Sequence, residues 1–450
     1  MELSSRMELS ANQSDFFERC VEAKAKAFSF SDPLIVHHHD ADGVSSGAIA
    51  VAALREKGKN PRTKCIKKLD DAAIDELMNE KEIIFVDLGG GNKRVDELKD
   101  VVIIDHHQTH GIGKLQANPM LFNIDGSDEL SASGAAYCVF RSSVDLAVVG
   151  AVGDMQSPLQ GMNRWVLEQG VASKDVKVEN DLKFYGRYCR SLIQFLAYSD
   201  DPYIPMISYH EDRASKLLEN LGIGLKEGSG ERWRVYSDLS EDEKKKLISE
   251  LANMLVNSNM LKKANELIGE SYVFPRHQRN ETYEANEFST LLNACGRHGR
   301  SDIGLNVCLG DENALVAAKE LLSLHRKMIR EGIGFASAHV QDIGPFYFLD
   351  ARGAVDESIL GTVCGMALRA TWAKPIIGIS SGENNTIKVS SRAGRQLILA
   401  GLNLATVMSV ACEATGGIGG GHKIAAGASI PSDRINEFLI KAGESIRQMS

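Results

Sequence analysis

The sequence predicts an α/β protein of three parts: an N-terminal domain built on a parallel sheet, a helical insertion, and a C-terminal α/β domain. The active site is expected in the crevice between the first and last parts. Three observations carry this reading. Short apolar runs rich in Val and Ile, at Pro33-Leu34-Ile35-Val36, Ile83-Ile84-Phe85-Val86 and Val101-Val102-Ile103-Ile104, have the length and composition of strands buried on both faces. Helical stretches separate them, an order that implies parallel pairing through right-handed crossovers. Each run also ends in acids and histidines, and open α/β sheets build their sites at the carboxyl ends of the strands.

Taken in order, the first run leads into His37-His38-His39-Asp40-Ala41-Asp42-Gly43, followed by a helix predicted from Gly43 to Lys57. A second helix, Leu69 to Asn79, precedes the run that ends at Asp87, and the next run ends in Asp105-His106-His107. A fourth apolar run, Leu146 to Val152, ends in Gly153-Asp154 and is read as a further strand, so that four strand tips converge. If the chain stays extended after the first run, positions 38, 40 and 42 face one side, while His39 and Ala41 turn away. A register slip of one would put His37 or His39 in the place of His38. Beyond Ser199-Asp200-Asp201-Pro202 the texture turns charged and helical, as in Ser240-Glu241-Asp242-Glu243-Lys244-Lys245-Lys246, where Ser240 is the expected cap. The expected domains are therefore 1–199, a helical insertion at 200–285, a connecting helical segment at 286–329, and 330–450. The last contains predicted strands at Gly344 to Leu349, Pro375 to Ile379 and Asn385 to Ser390.

A chain of 450 residues suffices for two or three cores. It holds no apolar run of the roughly twenty residues that span a bilayer, and the acids scattered through Met1 to Asp32 are unlike a signal peptide. A cytoplasmic location is expected. The eight cysteines form no CxxC pair, so reduced thiols are expected. The net charge of −9 is uneven: residues 352–450 carry ten Lys/Arg against seven Asp/Glu, a net of +3 that leaves −12 for the rest. Bound cations would offset part of that excess. The balance argues against broad binding to duplex DNA, which needs an extended basic face.

A lone His or Asp at a strand end is usually a cap or turn residue. Here six of the twelve histidines (37, 38, 39, 106, 107 and 110) fall in two short windows beside separate acids. Carboxylates with a few imidazoles suit divalent Mn or Mg, and two such ions about 3.5–4 Å apart suit phosphoester hydrolysis. Gly89-Gly90-Gly91 lacks the Lys-Ser/Thr ending of a P-loop, and reads as a turn close to the metals. Toward the C-terminus, clustered glycines followed by His422 and Lys423 could gather backbone N–H groups on an anion, and the planar fork of Arg392 suits a phosphate. Tyr283, Phe288, Tyr347 and Trp372 are left unassigned.

The triplet Asp105-His106-His107, with its partner clusters, resembles the DHH phosphoesterase family. The tail Gly416-Gly417-Ile418-Gly419-Gly420-Gly421-His422-Lys423-Ile424-Ala425-Ala426-Gly427 is similar to the signature of that family's DHHA1 domain. The segment Glu287-Phe288-Ser289-Thr290-Leu291-Leu292-Asn293-Ala294-Cys295-Gly296-Arg297 is similar to one in the RecJ-like exonuclease branch, especially its archaeal members. The resemblance implies a first metal on His38, Asp40 and Asp87, and a second on Asp42, Asp87, His106 and Asp154. Mn is the preferred ion and Mg the other expected one. Asp87 would bridge, Asp105 would orient an imidazole, and His107 would meet the phosphate or assist the leaving group. Ser391, Arg392, Gly420, Gly421, His422, Asn293 and Arg297 would bind substrate. The expected function is a single-strand-specific exonuclease on DNA or RNA in replication or repair, with GINS or other replication proteins as partners and no membrane. An oligonucleotide or cyclic-dinucleotide phosphodiesterase is the alternative enzyme. A GINS-binding replication scaffold is the alternative of another class.

Overall fold

The computed structural model describes residues 10–199, 202–228, 230–367, 373–382 and 385–449, apart from the side chain at position 395. Trp372 and the Asp200-Asp201 pair lie outside that set. The chain divides into two compact units, residues 1–322 and 323–450.

The first unit opens with α1 (Ala11–Ser29) and then runs β1 (Leu34–His37), α2 (Ala41–Glu56), β2 (Arg62–Cys65), α3 (Asp71–Leu77), β3 (Glu82–Val86), β4 (Asp100–Ile104) and β5 (Leu115–Ala117). All five strands are parallel, in the order β2-β1-β3-β4-β5. Strand alternation divides the apolar side chains between two cores. Ile35, Ile84, Val86, Val102 and Ile104 join the cluster under α1 and α2, while Leu34, Val36, Ile83, Phe85, Val101 and Ile103 pack toward α3. This two-sided burial is why the runs read as continuously apolar. The strand order reverses between β1 and β3, the switch point where open α/β sheets leave a crevice beyond their carboxyl ends.

After β5 the chain is helical: α4 (Ala132–Phe140), α5 (Val144–Gly153) and α6 (Gly161–Ala172). The expectation of a fourth strand at Leu146 to Val152 is corrected here, because that run lies within α5. Residues Val144 and Leu146 to Ala151 are all buried. A helix buried on every side has no polar face to reveal its period, so a seven-residue apolar run reads equally as strand or helix. Asp154 consequently arrives from a helix C-terminus, and three strand tips converge rather than four.

Next come β6 (Lys177–Leu182), α7 (Leu192–Ala197), α8 (Glu211–Asn220), α9 (Glu241–Asn257), α10 (Leu261–Asn265) and β7 (Ile268–Val273). The helices pack around their own core of Phe195, Leu218, Leu247, Leu251 and Leu255. The antiparallel pair β6 and β7 closes this region at its base, so the segment read as helical also contains a strand. Ser240 caps α9 as expected: its side chain accepts from Glu243 N–H, and the Glu243 carboxylate accepts from Ser240 N–H. α11 (Ala285–Arg297), α12 (Ser301–Cys308) and α13 (Glu312–His339) follow.

The second unit contains β8 (Gln341–Asp342), β9 (Tyr347–Asp350), α14 (Glu357–Ala367), β10 (Ile376–Ser381), β11 (Thr386–Arg392), α15 (Arg395–Leu399), α16 (Leu404–Thr415), β12 (Ile418–Gly421), β13 (Ala425–Pro431) and α17 (Ile435–Met449). Its mixed sheet runs β12-β13-β11-β10-β9-β8, with only the β9 and β10 pair parallel. Ile377, Ile379 and Val389 pack with α16 and α17 on one face, and Leu349 and Ile376 pack with α14 on the other. No helix among the described residues is long and apolar enough to cross a membrane.

The helical core depends on leucines spaced along α9. Leu251→Ala removes a fully buried side chain and should cost about 2–5 kcal/mol. The exposed Lys245→Ala should stay within about 0.5 kcal/mol. Urea unfolding followed by circular dichroism should show an earlier transition for the first variant alone.

Candidate metal centre

Register sets the site. His37 pairs with Val86, and Val86 with Ile104. His38, Asp87 and Asp105 are therefore the first residues past the ladder on three adjacent strands, at the switch point. Asp87 takes a left-handed conformation (φ 60°), tolerable for Asp, while its N–H still bonds Ile104 O at 2.9 Å. The side chain is 1 % exposed, yet neither oxygen has a hydrogen-bond partner of acceptable geometry among the described residues. Its neighbours are imidazoles: His38 Nδ1 at 3.3 Å, His106 Nε2 at 3.3 Å and His107 Nδ1 at 3.8 Å. Burying a carboxylate this way costs several kcal/mol unless a cation compensates.

Three sets of donor atoms lie close enough to share an ion: His38 with Asp40 and Asp87; Asp42 with His106 and Asp154; and Asp87 with His106 and His107. The expectation of an extended 38-40-42 stripe is corrected in its geometry. The strand ends at His37, Asp40 is the N-cap of α2 with its side chain accepting from Gly43 N–H at 3.0 Å, and Asp42 lies in the first helical turn. The helix turn sends Asp42 away from His38 and Asp40, into the second set. His37 is a core residue, with its ring against Gly47 and Nδ1 2.8 Å from His38 O. His39 leans on His38, with its Nδ1 2.9 Å from His38 Nε2.

Charge explains the protonation pattern. Burial alone would lower the pKa of His38, but Asp40 Oδ2 at 2.9 Å and Asp87 outweigh it and push the imidazole up to about 11. His106 is likewise raised against its burial by Asp87, Asp42 and Asp154. Asp42 is pushed up to about 7, first by burial and then by the charge of Asp87; burial also raises Asp154. The set holds more carboxylates than imidazoles, and its protons stand where cations would. Hard oxygens with a few imidazoles are what Mn or Mg requires, so the residues present fit the group.

Supporting contacts fix these side chains. Gly126 O accepts from His106 Nδ1 at 2.6 Å, which leaves Nε2 facing Asp87 and Asp42. Asp105 Oδ1 accepts from the His106 and His107 N–H groups and from His107 Nδ1 at 2.8 Å, and Oδ2 accepts from Gly90 N–H at 2.9 Å. These donors, chiefly His107 against the opposing effect of burial, hold Asp105 down to about 2. His107 itself is raised by Asp105.

The sequence reading missed several participants. The N–H groups of Ala132 and Ser133, at the start of α4, bind Asp42 at 2.8 and 3.0 Å, a helix N-terminus holding a carboxylate. Ser131, the cap of that helix, was the available signal. Gln156 donates to Asp154 and to Gly126 O, both at 2.8 Å; nothing in the sequence marks it.

Asn293 lies beside the site, but its Oδ1 accepts from Ala41 N–H at 2.9 Å, so that oxygen holds the start of α2. Arg297, at the end of the same helix, is near enough for its charge to act on Asp40 and His39. Phe288 is core, and Tyr283 packs on Tyr188. In the second unit, Arg392 pairs with Ala425 across the sheet and Gly421 with Ala426, while Gly420 pairs with Gly427. His422 N–H bonds Ala425 O at 2.8 Å. The end of β11 and the β12–β13 hairpin thus meet at one end of that sheet. Ser391 is buried, its hydroxyl donating to Ala426 O at 3.0 Å.

Comparison with known proteins agrees with this architecture. Family models match at residues 33–153 (DHH family, N-terminal domain), 184–268 (DHH-CID domain) and 344–448 (DHHA1 domain). A relative, the uncharacterized protein MJ0831 of Methanocaldococcus jannaschii, is 31 % identical over 435 residues, 92 % of each chain. Among solved structures, RecJ in complex with Mn2+ from Thermus thermophilus has a TM-score of 0.61 at 17 % identity, over 97 % of this chain and 55 % of that one. This chain therefore spans about half the length of that RecJ. A second exonuclease RecJ, bound to manganese, gives 0.59 at 16 %, over 97 % and 95 %. CDC45 from Entamoeba histolytica gives 0.63 at 12 %, over 96 % and 99 %. These likenesses below 25 % identity establish the fold. By its three matched domains and its relative spanning nearly the whole chain, the protein belongs to the DHH family, as a DHH/DHHA1 member of RecJ-like fold.

Proposed function

We propose that this protein is a metal-dependent exonuclease that hydrolyses phosphodiester bonds in single-stranded nucleic acid, in DNA replication or repair. The observation that carries the reading is Asp87: a buried carboxylate with an imidazole nitrogen 3.3 Å from each oxygen, neither in hydrogen-bonding geometry. Manganese in two RecJ structures of the same fold supports the choice of ion. His38, Asp40 and Asp87 would hold one ion, and Asp42, Asp87, His106 and Asp154 the other, with Mn preferred and Mg accepted. Ions held there would supply activation of water and neutralisation of charge on the attacking and leaving oxygens. The chain's own residues do the rest. Asp105 fixes His107 Nδ1, leaving Nε2 to contact the phosphate and pass a proton to the leaving oxygen. In the second unit, Arg392 and the Gly420-Gly421-His422 turn would bind a backbone phosphate, with Ser391 supporting the strand that carries Arg392. Asn293 would keep the start of α2 in place, and Arg297 would add positive charge beside it.

The CDC45 likeness supports a second reading, a replication scaffold that contacts a complex such as GINS. Retention of Asp40, Asp42, Asp87, Asp105 and Asp154 weighs toward catalysis.

Calorimetric titration with Mn tests the centre. Asp87→Ala should abolish binding at both positions and lower activity by about a thousandfold or more, with its circular dichroism spectrum unchanged. His107→Ala should bind Mn normally and lose turnover. Asp40 and Asp87 push the His38 imidazole up to about 11, so a metal bound there at neutral pH should displace a proton. Wild-type binding should therefore release protons, and affinity should fall as the pH drops from about 8 to about 6. Binding that is independent of buffer and pH would contradict the ligand role of His38.

Substrate form is tested with end-labelled single-stranded DNA and RNA, blunt duplex, and linear and cyclic dinucleotides. Single strands should be cut far faster than duplex. Arg392→Ala should weaken binding of a long single strand about ten- to hundredfold and affect a dinucleotide less. A wild type that cleaves dinucleotides at least as efficiently as long strands, with Arg392→Ala harming both equally, would transfer the assignment to a small-substrate phosphodiesterase.

A further inference from the structure

Helix α5 ends in a turn closed by two bonds, Met155 N–H to Val152 O at 3.1 Å and Gln156 N–H to Ala151 O at 3.0 Å. In this turn the residue just past the cap adopts the left-handed conformation and is most often glycine. Here it is Met155, with φ +62°, and the residue is 89 % exposed. Neither property helps the chain fold. A Cβ strains the left-handed backbone, and an apolar side chain in water loses the benefit of burial.

What sets Met155 apart from the other left-handed residues is its position. It stands between Asp154, in the second donor set, and Gln156, whose amide bonds Asp154 Oδ2 and Gly126 O. Gly126 O in turn holds His106 Nδ1, and Gly126 N–H donates to the sulfur of Met120 at 3.2 Å. Met120 is itself 40 % exposed. Two accessible thioether side chains are thus attached to the stretch that backs His106 and Asp154. The donor sets themselves are all carboxylate and imidazole. Such groups engage ions and a phosphate; they offer no face for the base of the same nucleotide. Thioethers pack well on aromatic rings and adapt to their shape, and stacking tolerates any sequence because every base has a π-face.

We propose that Met155, next in the chain to Asp154, forms the surface on which the nucleobase next to the scissile phosphate stacks. This deepens the nuclease reading and rests on it, adding the group that grips the nucleotide by something other than its phosphate. It also accounts for methionine where a glycine would relieve the backbone.

The test compares wild type, Met155→Gly and Met155→Leu on single strands with normal bases and on the same strands carrying an abasic residue at the cleaved end. Met155→Gly should keep or raise the melting temperature, because the turn loses its strain. It should lower kcat/KM on normal strands about two- to tenfold, the worth of one thioether–ring contact, while leaving the abasic strand cut at the wild-type rate. Met155→Leu should retain most activity on both. Fluorescence of a terminal 2-aminopurine should be quenched on binding to wild type, and less by Met155→Gly. Equal loss on normal and abasic strands, or no loss on either, would overturn the stacking role. A wild type that cuts no strand of either kind would overturn the nuclease reading, and this inference with it.

Discussion

The first unit is organised around one buried carboxylate. Asp87 sits where the strand order reverses, beyond water and without a hydrogen bond to either oxygen. Isolated, such a group would cost several kcal/mol to bury. Three strands in fixed register deliver His38, Asp87 and Asp105 to one level, so the imidazoles of His38 and His106 can reach Asp87 from either side. The helices add their own fields. Asp40 and Asp42 stand at the N-terminus of α2, and Asp42 also takes two N–H groups from the start of α4, where negative charge is favoured. Asp154 is the exception. It caps the C-terminus of α5, the end that disfavours an anion, so it depends more than the others on a nearby cation.

Close packing of backbone holds that arrangement. A Cβ on Gly150 would overlap Ser133 Oγ and Asp42 Oδ1, so only glycine lets α5 pass the Asp42 carboxylate. A Cβ on Gly296 would overlap His39 O, and Asn293 and Ser301 bond the backbone of Ala41 and His39 at 2.9 and 3.3 Å. Helices α11 and α12 therefore grip the loop that carries His38 and Asp40 from a part of the chain more than 250 residues away. The segment Glu287 to Arg297, in which the family resemblance implies substrate contacts at Asn293 and Arg297, also makes this grip.

Much of the site was legible because strands buried on both faces announce themselves, and whatever follows them must lie at the sheet's carboxyl edge. His38, Asp40, Asp87, Asp105, His106 and His107 were visible in that way. The route by which Asp42 and Asp154 arrive was not. The first depends on where a strand gives way to a helix, a boundary that an Asp cap sets within one or two residues. The second depends on α5 being a helix, which a seven-residue apolar run does not reveal. Gln156, the Ala132 and Ser133 amides and Met155 act through three-dimensional neighbours and left no pattern in the chain. In the second unit the glycine-rich hairpin and Arg392 were legible as motifs; their meeting across β13 is a matter of strand pairing.

The central claim is that Asp87 joins two cation positions. Anomalous diffraction from crystals soaked in Mn tests it directly. The account predicts two manganese peaks about 3.5–4 Å apart, one beside His38 and Asp40 and one beside Asp42, His106 and Asp154, each with an oxygen of Asp87 within coordination distance. A single peak, or peaks that leave Asp87 without a metal neighbour, would contradict it.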